Sequence, residues 1–297
     1  MGRLVRAISA DGTVVAYALD GLDIVSEIER IHKTSAVVTA ALGRLTIAAS
    51  LMGSMLKGEE DTLTLRINGG GLTGSLIAVA DSSGNVKAYV SNPVVEIPLN
   101  KYGKLDVSGA VGTDGTLSVI KDLGLKEPYI GQVPLVSGEI AEDIASYFAT
   151  SEQIPTVCCL GVLVNPDLTV KSAGGFIIQL LPFADEKCID AIEKTIEGLA
   201  PVTKLLADGM TAEELALRVL DGLEPNILDK RSTAYVCDCS KARVERALIS
   251  IGAEELERIA EEEEKIEVNC HFCNKMYVFS RNEVKNLLKS GRVKQDD

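Results

Sequence analysis

The chain has 297 residues, of which 46% are hydrophobic and 25% are charged, and its formal net charge is −13 at neutral pH. This balance is typical of globular proteins, so it excludes a largely disordered chain, and the length favours two domains. Residues 1–230 carry a net charge of −12, which repels the phosphate backbone of nucleic acids and makes them unexpected partners.

The first predicted elements are a β-hairpin and two helices. Residues 1–20 hold two apolar-rich runs on either side of an Asp-Gly turn at residues 11–12. Residues 22–32 and 35–55 have helical patterns, and the second is about as long as a membrane span of ~20 residues. Arg44 lies at its midpoint, where a charge costs at least ~2.5 kcal/mol in a bilayer. We therefore predict a buried helix and expect no membrane partner.

Short apolar runs separated by turn residues predict a series of strands in the next part of the chain. The runs cover residues 62–67, 75–80, 86–91, 95–99, 104–107, 117–120, 160–164 and 175–181. One helix is embedded near residues 140–148. Because these strands do not alternate regularly with helices, we predict an α+β fold, with mixed or antiparallel sheets and packed helices.

The composition changes after residue 182, where charged helical patterns begin. Residues 186–206 and 211–220 are predicted helices, and the second opens with a capping box formed by Thr211 and Glu214. Helices this short need a docking surface to be stable. The predicted domains are an α+β core domain over residues 1–183, a helical linker over 184–230 and a small zinc-binding domain over 231–297.

The C-terminal part carries four cysteines in two closely spaced pairs. The motif is C-x-C, 30 intervening residues and C-x-x-C, formed by Cys237, Cys239, Cys270 and Cys273. Four thiolates are a ligand set of tetrahedral Zn²⁺ sites, and a piece of under ~70 residues rarely folds on apolar burial alone. We therefore predict that these cysteines bind Zn²⁺. The resulting negative charge needs nearby donors, for which the candidates are Lys241, His271 and Lys275.

The spacing leaves two roles open for this zinc site. In the first role the metal is a permanent structural staple. In the second it is part of a redox switch, because the two cysteines of each pair are close enough in sequence to form a disulfide once the metal leaves. Oxidation would then remove the ligands, and with them the folding free energy that the metal supplies.

The remaining candidate side chains indicate no catalytic site. Cys158 and Cys159 lie in an apolar strand and Cys188 on a helix, so we interpret all three as small buried apolar residues. His32 is interpreted as a surface or capping residue. No nucleophile with a matching base is recognisable, so we do not expect an enzyme. Seven cysteines without an N-terminal apolar run suited to a signal peptide favour the reducing cytoplasm.

Several stretches, in order along almost the whole chain, resemble the bacterial heat shock protein 33 family of redox-regulated chaperones. In the tail, the resemblance lies in the cysteine pattern and in C-H-F-C-N at residues 270–274. In the body it lies in GGGLTG at 69–74, AYVSNP at 88–93, GKLDVSGAVGTDGTLSVIKDLG at 103–124, GQVPLVSGEIAEDIASYFATSEQIP at 131–155 and AGGFIIQLLP at 173–182.

This resemblance implies an ATP-independent holdase that protects unfolding client proteins during oxidative stress. The reduced form would bind zinc through the four cysteines and be inactive. Oxidation, together with some unfolding, would form the disulfides Cys237–Cys239 and Cys270–Cys273 and release the zinc. The tail and the linker would then lose structure and uncover a client-binding surface, and the active form would be a homodimer. Cys158, Cys159 and Cys188 are not part of the family pattern.

Two other functions compete with this interpretation. A thiol–disulfide oxidoreductase would use the C-x-x-C motif, but such motifs usually begin a helix in a βαβ unit. A zinc-containing nucleic-acid-binding protein would use a basic cluster in the tail. That cluster comprises Lys275, Arg281, Lys285, Lys289, Arg292 and Lys294.

Overall fold

The computed structural model describes residues 1–292, and the chain divides into a first unit over Met1–Val236 and a second that begins at Cys237. The strands are β1 (Gly2–Ile8), β2 (Val14–Asp20), β3 (Thr62–Asn68), β4 (Leu76–Asp81), β5 (Val86–Val90), β6 (Thr116–Asp122), β7 (Tyr129–Pro134), β8 (Thr156–Val164), β9 (Val170–Leu180), β10 (Asn226–Thr233), β11 (Lys265–Asn269) and β12 (Met276–Ser280). The helices are α1 (Leu22–His32), α2 (Ala36–Gly53), α3 (Val107–Val111), α4 (Ala141–Tyr147), α5 (Glu186–Glu197), α6 (Val202–Ala207), α7 (Ala212–Arg218), α8 (Lys241–Ser250), α9 (Ala253–Glu262) and α10 (Arg281–Arg292).

Two five-stranded antiparallel sheets form the frame of the first unit. The first sheet has the strand order β10-β1-β2-β9-β8, and the second has the order β5-β4-β3-β6-β7. Apolar side chains cover both faces of the first sheet, which explains why β2 and β9 are apolar along almost their whole length instead of alternating. The predicted α+β class is confirmed.

The predicted N-terminal hairpin is confirmed, although its loop is longer than a two-residue turn. The Ser9 amide donates to the Val14 carbonyl at 2.9 Å, so residues 10–13 form the loop. Gly12 has a φ of 74°, a left-handed conformation that glycine adopts without strain. The Thr13 amide donates to the Asp11 carboxylate at 3.0 Å and fixes the loop.

The long apolar helix α2 lies at the centre of the first unit. It is long and apolar enough to cross a membrane by length and composition, but 89% of the relevant window is buried inside the protein. A β-carbon on Gly43 would lie 2.8 Å from Val25 and 2.9 Å from Val162, so glycine allows α1 and β8 to pack close to this helix. Arg44 is ion-paired with Glu139. The predicted buried helix is therefore confirmed.

Two predicted strands were wrong. Residues 95–99 form irregular chain, and residues 104–107 lead into α3. Pro98 lacks the N–H that a strand ladder requires, so the first run cannot pair along its length. In the second run, Asp106 caps α3 by accepting from the Gly109 amide at 3.0 Å, because a short acidic side chain at this position competes with extended pairing.

The predicted linker helices pack on one face of the first sheet. The predicted helix over residues 186–206 is divided into α5 and α6, because Pro201 lacks an N–H to continue a helix. The capping box of α7 is present: the Glu214 amide donates to the Thr211 hydroxyl at 3.2 Å, and Glu214 accepts from the Thr211 amide at 2.8 Å. Leu215 and Val219 are fully buried in the apolar cluster beneath these helices.

The end of the predicted linker is not helical. Residues 226–233 form β10, which pairs antiparallel with β1 at the edge of the first sheet. Its exposed and partly buried residues alternate, and Asp229 forms ion pairs with Arg6 at 2.8 Å and with Arg231 at 3.2 Å. The predicted boundary at residue 230 therefore falls inside a strand, and the compact first unit continues to Val236.

Removing the cap of α7 is expected to loosen the helices on this face of the sheet. Thr211→Ala deletes the hydroxyl that accepts from the Glu214 amide, a loss of about 1 kcal/mol for such caps. We expect hydrogen exchange of the α7 amides to become about fivefold faster. Thr211→Ser, which keeps the hydroxyl, should behave like the parent protein, and equal exchange in both variants would contradict the role of the cap.

The second unit is a β-hairpin packed with three helices. Strands β11 and β12 pair antiparallel, and Phe279 and Val284 are fully buried in its small apolar core. A capping box is present at the start of α10, since the Glu283 amide donates to the Ser280 hydroxyl at 3.3 Å and its carboxylate accepts from the Ser280 amide at 2.8 Å. The core contains seven buried residues among those described, few for independent stability.

Candidate metal centre

The turn between β11 and β12 holds one pair of cysteines. The Cys270 amide donates to the Lys275 carbonyl at 3.0 Å, and the Asn274 amide donates to the Cys270 carbonyl at 2.8 Å. Asn274 has a φ of 56°, a left-handed conformation that asparagine adopts more readily than most residues. This tight turn places Cys273 on the same side as Cys270 and leaves His271 exposed.

The other pair lies in the irregular segment just before α8. The Cys237 sulfur is 3.6 Å from that of Cys270, and the Cys239 sulfur is 3.4 Å from that of Cys273. All four sulfurs lie within 4.8 Å of one another, and all four cysteines are free thiols. The structure therefore brings together all four cysteines that the spacing singled out.

These four sulfurs fit a tetrahedral metal site. Four sulfurs at ~2.3 Å from a central Zn²⁺ are about 3.8 Å from one another, close to the separations found here. All four are partly buried, and thiolates are the soft ligands that Zn²⁺ accepts. The cluster could hold a metal ion without a rearrangement of the turn.

The environment makes the thiols unequal. Burial raises the pKa of Cys237 and of Cys273 above the ordinary thiol value. Burial also opposes ionisation of Cys239, but hydrogen bonds from the Tyr277 hydroxyl and the other thiols outweigh it and lower its pKa to about 7. The same hydrogen bond to Cys239 raises the pKa of Tyr277 to about 12. Cys239 therefore ionises more readily than Cys237 and Cys273.

Tyr277 is the contact that sequence reasoning missed. Its hydroxyl donates to the Cys239 sulfur at 3.1 Å, and its ring is buried in the core of the second unit. The alternation along β12 places Tyr277 on the same face as Phe279, so its inward orientation could have been predicted. Its hydrogen bond to a cysteine 38 residues earlier in the chain could not.

The predicted charge donors have other contacts. The Lys241 ammonium forms an ion pair with Glu283 at 2.6 Å and lies 5.1 Å from the centre of the Phe279 ring. The Lys275 ammonium lies 5.3 Å from the centre of the Tyr277 ring. Both lysines therefore pack on the aromatic residues beside the cluster and place positive charge in its neighbourhood. In the predicted basic cluster, Lys294 and the side chains of Lys289 and Arg292 lie outside the described residues.

The Tyr277 hydroxyl is expected to tune metal affinity. Tyr277→Phe removes the donor to Cys239, so the pKa of that thiol rises and its thiolate becomes less favourable at neutral pH. Hydrogen-bond partners of metal ligands contribute about tenfold to metal affinity. We therefore expect Tyr277→Phe to bind zinc about tenfold more weakly, as measured by competition with a chromogenic chelator. Tyr102→Phe, which removes an exposed hydroxyl in the first unit, is the control; equal affinities in the two variants would exclude the role of Tyr277.

The other three cysteines belong to the first unit. Cys158 and Cys159 are partly buried on β8, and burial raises the pKa of both thiols. Cys188 is buried on α5, where its sulfur lies 3.5 Å from an Asp11 carboxylate oxygen. The His32 ring nitrogen lies 3.4 Å from the Tyr235 hydroxyl.

The fold and the cluster together define an α+β protein with a separate small unit that carries four thiols fit to hold a metal. Residues 2–280 match the family model described as Hsp33 protein. The chain belongs to the Hsp33 family. A 33 kDa chaperonin of Lachnoclostridium phytofermentans is 51% identical over 96% of this chain and 97% of its own. A 33 kDa chaperonin of Clostridioides difficile is 50% identical over 96% of this chain and 98% of its own.

A solved structure supports the same membership. The crystal structure of the 33 kDa chaperonin, heat shock protein 33 homolog, from Thermotoga maritima matches with a TM-score of 0.89 and 40% sequence identity. The match covers 99% of both chains. The resemblance stated from the sequence is thus confirmed, and the two-sheet frame and the second unit belong to a known family architecture.

Proposed function

We propose that this protein is a redox-regulated, ATP-independent holdase whose reduced, zinc-bound form is inactive and whose oxidised, zinc-free form binds unfolding client proteins. The observation that carries the proposal is the convergence of four free thiols within 4.8 Å in a unit with a small apolar core. Such a unit depends on the metal for its stability, so thiol oxidation can control whether it stays folded.

Cys237, Cys239, Cys270 and Cys273 would hold the Zn²⁺, and their sulfur positions fit it. The bound metal supplies folding free energy and keeps the sulfurs as thiolates. We assign no catalytic residue and no enzymatic activity. The partners are unfolding proteins in the cytoplasm, rather than nucleic acid or a membrane, and the activated form is a homodimer.

Oxidation would convert each cysteine pair into a disulfide. Two thiolates give up two electrons, one S–S bond forms, and peroxide takes up those electrons with two protons to yield two molecules of water. We propose the pairs Cys237–Cys239 and Cys270–Cys273. The closest sulfur contacts in the folded unit join Cys237 to Cys270 and Cys239 to Cys273. Pairing within each motif is favoured once the unit loses structure, because short loops close at the lowest entropic cost.

Loss of the ligands would unfold the second unit and release the linker over residues 184–230. Helices α5, α6 and α7 are short and cover an apolar face of the first sheet that includes Phe176 and Ile178. Their release would uncover that face, and the charged linker would become a flexible segment able to contact many clients. The core domain over residues 1–183 would stay folded.

The proposal is tested by treating the reduced, zinc-loaded protein with peroxide at mildly elevated temperature without ATP. Zinc release, thiol loss and suppression of aggregation of a thermally unfolding client should rise together. If peroxide leaves the zinc bound, the switch is wrong. If zinc leaves and aggregation continues, the chaperone function is wrong. Peptide mapping without reduction distinguishes the proposed disulfides from cross-pairing between the two motifs.

A further inference from the structure

A cavity of about 820 Å³ opens in the first unit at the edge strand β8. Its wall is formed by the start of α2, the loop before α3, the outer half of β8 with its following turn, and the start of α6. This volume is in the range of ligand pockets, about 300–1,000 Å³. The cavity lies within a single compact unit and does not involve the cysteine cluster.

Most of the wall is apolar, and part of it is exposed. Leu99, Leu163 and Leu168 line the cavity and are 58%, 39% and 44% exposed. Apolar side chains grouped around a concavity are covered when an apolar ligand binds, which favours occupancy by a chain of methylene groups. The apolar body of the ligand would lie against these residues.

The charged residues of the wall are both cationic. They are Arg44 and Lys104, and the described lining includes no carboxylate. Arg44 donates through Nη1 to Glu139, which is not part of the lining, and its Nε has no hydrogen-bond partner in the described part of the chain. Lys104 makes no ion pair within residues 1–292. Although the chain has a net charge of −13, the positive charge of Arg44 and Lys104 makes this cavity select for anions.

We infer that this cavity binds a small amphipathic anion, an alkyl chain that ends in a carboxylate or a comparable anionic head group. The head group would contact Arg44 and Lys104, and the chain would cover Leu163 and Leu168. Cys159 also lines the cavity, in the same wall as Arg44 and Val202. The rate at which a thiol reagent labels Cys159 therefore reports whether a ligand occupies the cavity.

Such a ligand would also contact the start of α6, because Pro201, Val202 and Thr203 belong to the cavity wall. These residues pack closely on β8: a β-carbon on Gly161 would lie 2.5 Å from the Thr203 side chain. A ligand that contacts both parts stabilises the arrangement in which α6 is docked. This consequence rests on the proposed function, since it implies that the anion delays release of the linker.

The test titrates dodecanoate, below its micelle concentration, into the reduced, zinc-loaded protein by calorimetry. We expect one saturable site and slower labelling of Cys159 by a thiol reagent, read by peptide mass spectrometry. Dodecyl phosphate tests whether any anionic head group suffices. Dodecyltrimethylammonium and dodecyl maltoside should bind at least about tenfold more weakly. Equal binding of all four dodecyl compounds would mean a purely apolar site and would overturn the inference.

Two variants localise the binding. Lys104→Met should weaken dodecanoate binding about threefold, a typical effect of a surface charge, whereas Lys101→Met in the same loop should not. Ala36→Phe fills the cavity and should abolish binding, with zinc content and circular dichroism confirming its fold. Unchanged binding in both Lys104→Met and Ala36→Phe would place the ligand elsewhere and refute the site.

The coupling to α6 has its own readout. Saturating dodecanoate should slow hydrogen exchange of the α6 amides and delay chaperone activation by peroxide. If binding occurs with unchanged exchange, the coupling is wrong while the site stands. Because binding is measured on the reduced protein without client, its failure is distinct from failure of the proposed chaperone function.

Discussion

Cys270→Ser is expected to abolish zinc binding and to unfold the second unit while the core domain over residues 1–183 remains folded. A serine hydroxyl is not ionised at neutral pH, so the site keeps three of the four thiolates that the sulfur geometry offers. Zinc contributes on the order of 10–16 kcal/mol to small zinc modules, whereas a small apolar core rarely contributes more than ~3–5 kcal/mol. Without the contribution of zinc, the remaining folding free energy is too small to keep the second unit folded.

Zinc content and hydrogen exchange measure the two parts of this expectation. Zinc per chain should fall from one to near zero, and the amides of β11 and β12 should exchange as in an unfolded chain. The amides of β2 and β9 should keep their protection. Cys188→Ser is the matched control, because Cys188 is a buried thiol of the first unit whose polar contacts a hydroxyl can keep. Retention of stoichiometric zinc by Cys270→Ser would show that the four thiols are not the ligand set.

Local patterns predicted much of this molecule. The apolar run of α2, the hairpin of β1 and β2 and the capping box at Thr211 each depend on neighbouring residues, so the sequence reveals them directly. The cysteine cluster was predictable for a similar reason, since each pair is local and a metal site requires both pairs.

The errors arose where tertiary context decides. Residues 95–99 have the apolar composition of a strand, but Pro98 lacks an N–H and no partner strand pairs with them in the described structure. The predicted linker ended at residue 230, inside strand β10, which covers Asn226–Thr233. On this edge strand, however, exposed residues alternate with partly buried ones, and Asp229 and Arg231 form an ion pair on the partly buried face.

In the candidate metal site, too, local features were predictable and contacts between distant residues were not. The four candidate ligands follow from spacing, whereas the Tyr277 hydroxyl reaches Cys239 only because β12 pairs with β11 in one register. The ion pair of Lys241 with Glu283 likewise joins residues 42 positions apart. Contacts between distant residues fix the electrostatics of the cluster, so they require the fold.

Phe279→Ala is expected to make peroxide activation independent of heating. Phe279 is fully buried at the centre of the second unit, and truncating such a residue costs about 3–5 kcal/mol. This loss is as large as the apolar stability of the unit but smaller than the contribution of bound zinc. The zinc-loaded variant should therefore stay folded, although its cysteines become accessible through much more frequent opening of the unit.

The measurement is the rate of zinc release by peroxide at room temperature, followed with a chromogenic chelator and paired with a client-aggregation assay. Phe279→Ala should release zinc and suppress aggregation at room temperature, whereas the parent protein should need mild heating. Val278→Ala is the matched control, because Val278 is the neighbouring residue of the same strand and is 46% exposed. If the zinc-release rates of Phe279→Ala and Val278→Ala are equal, opening of the apolar core does not limit oxidation of the thiols. The apolar core would then stabilise the unit without setting the threshold of the switch.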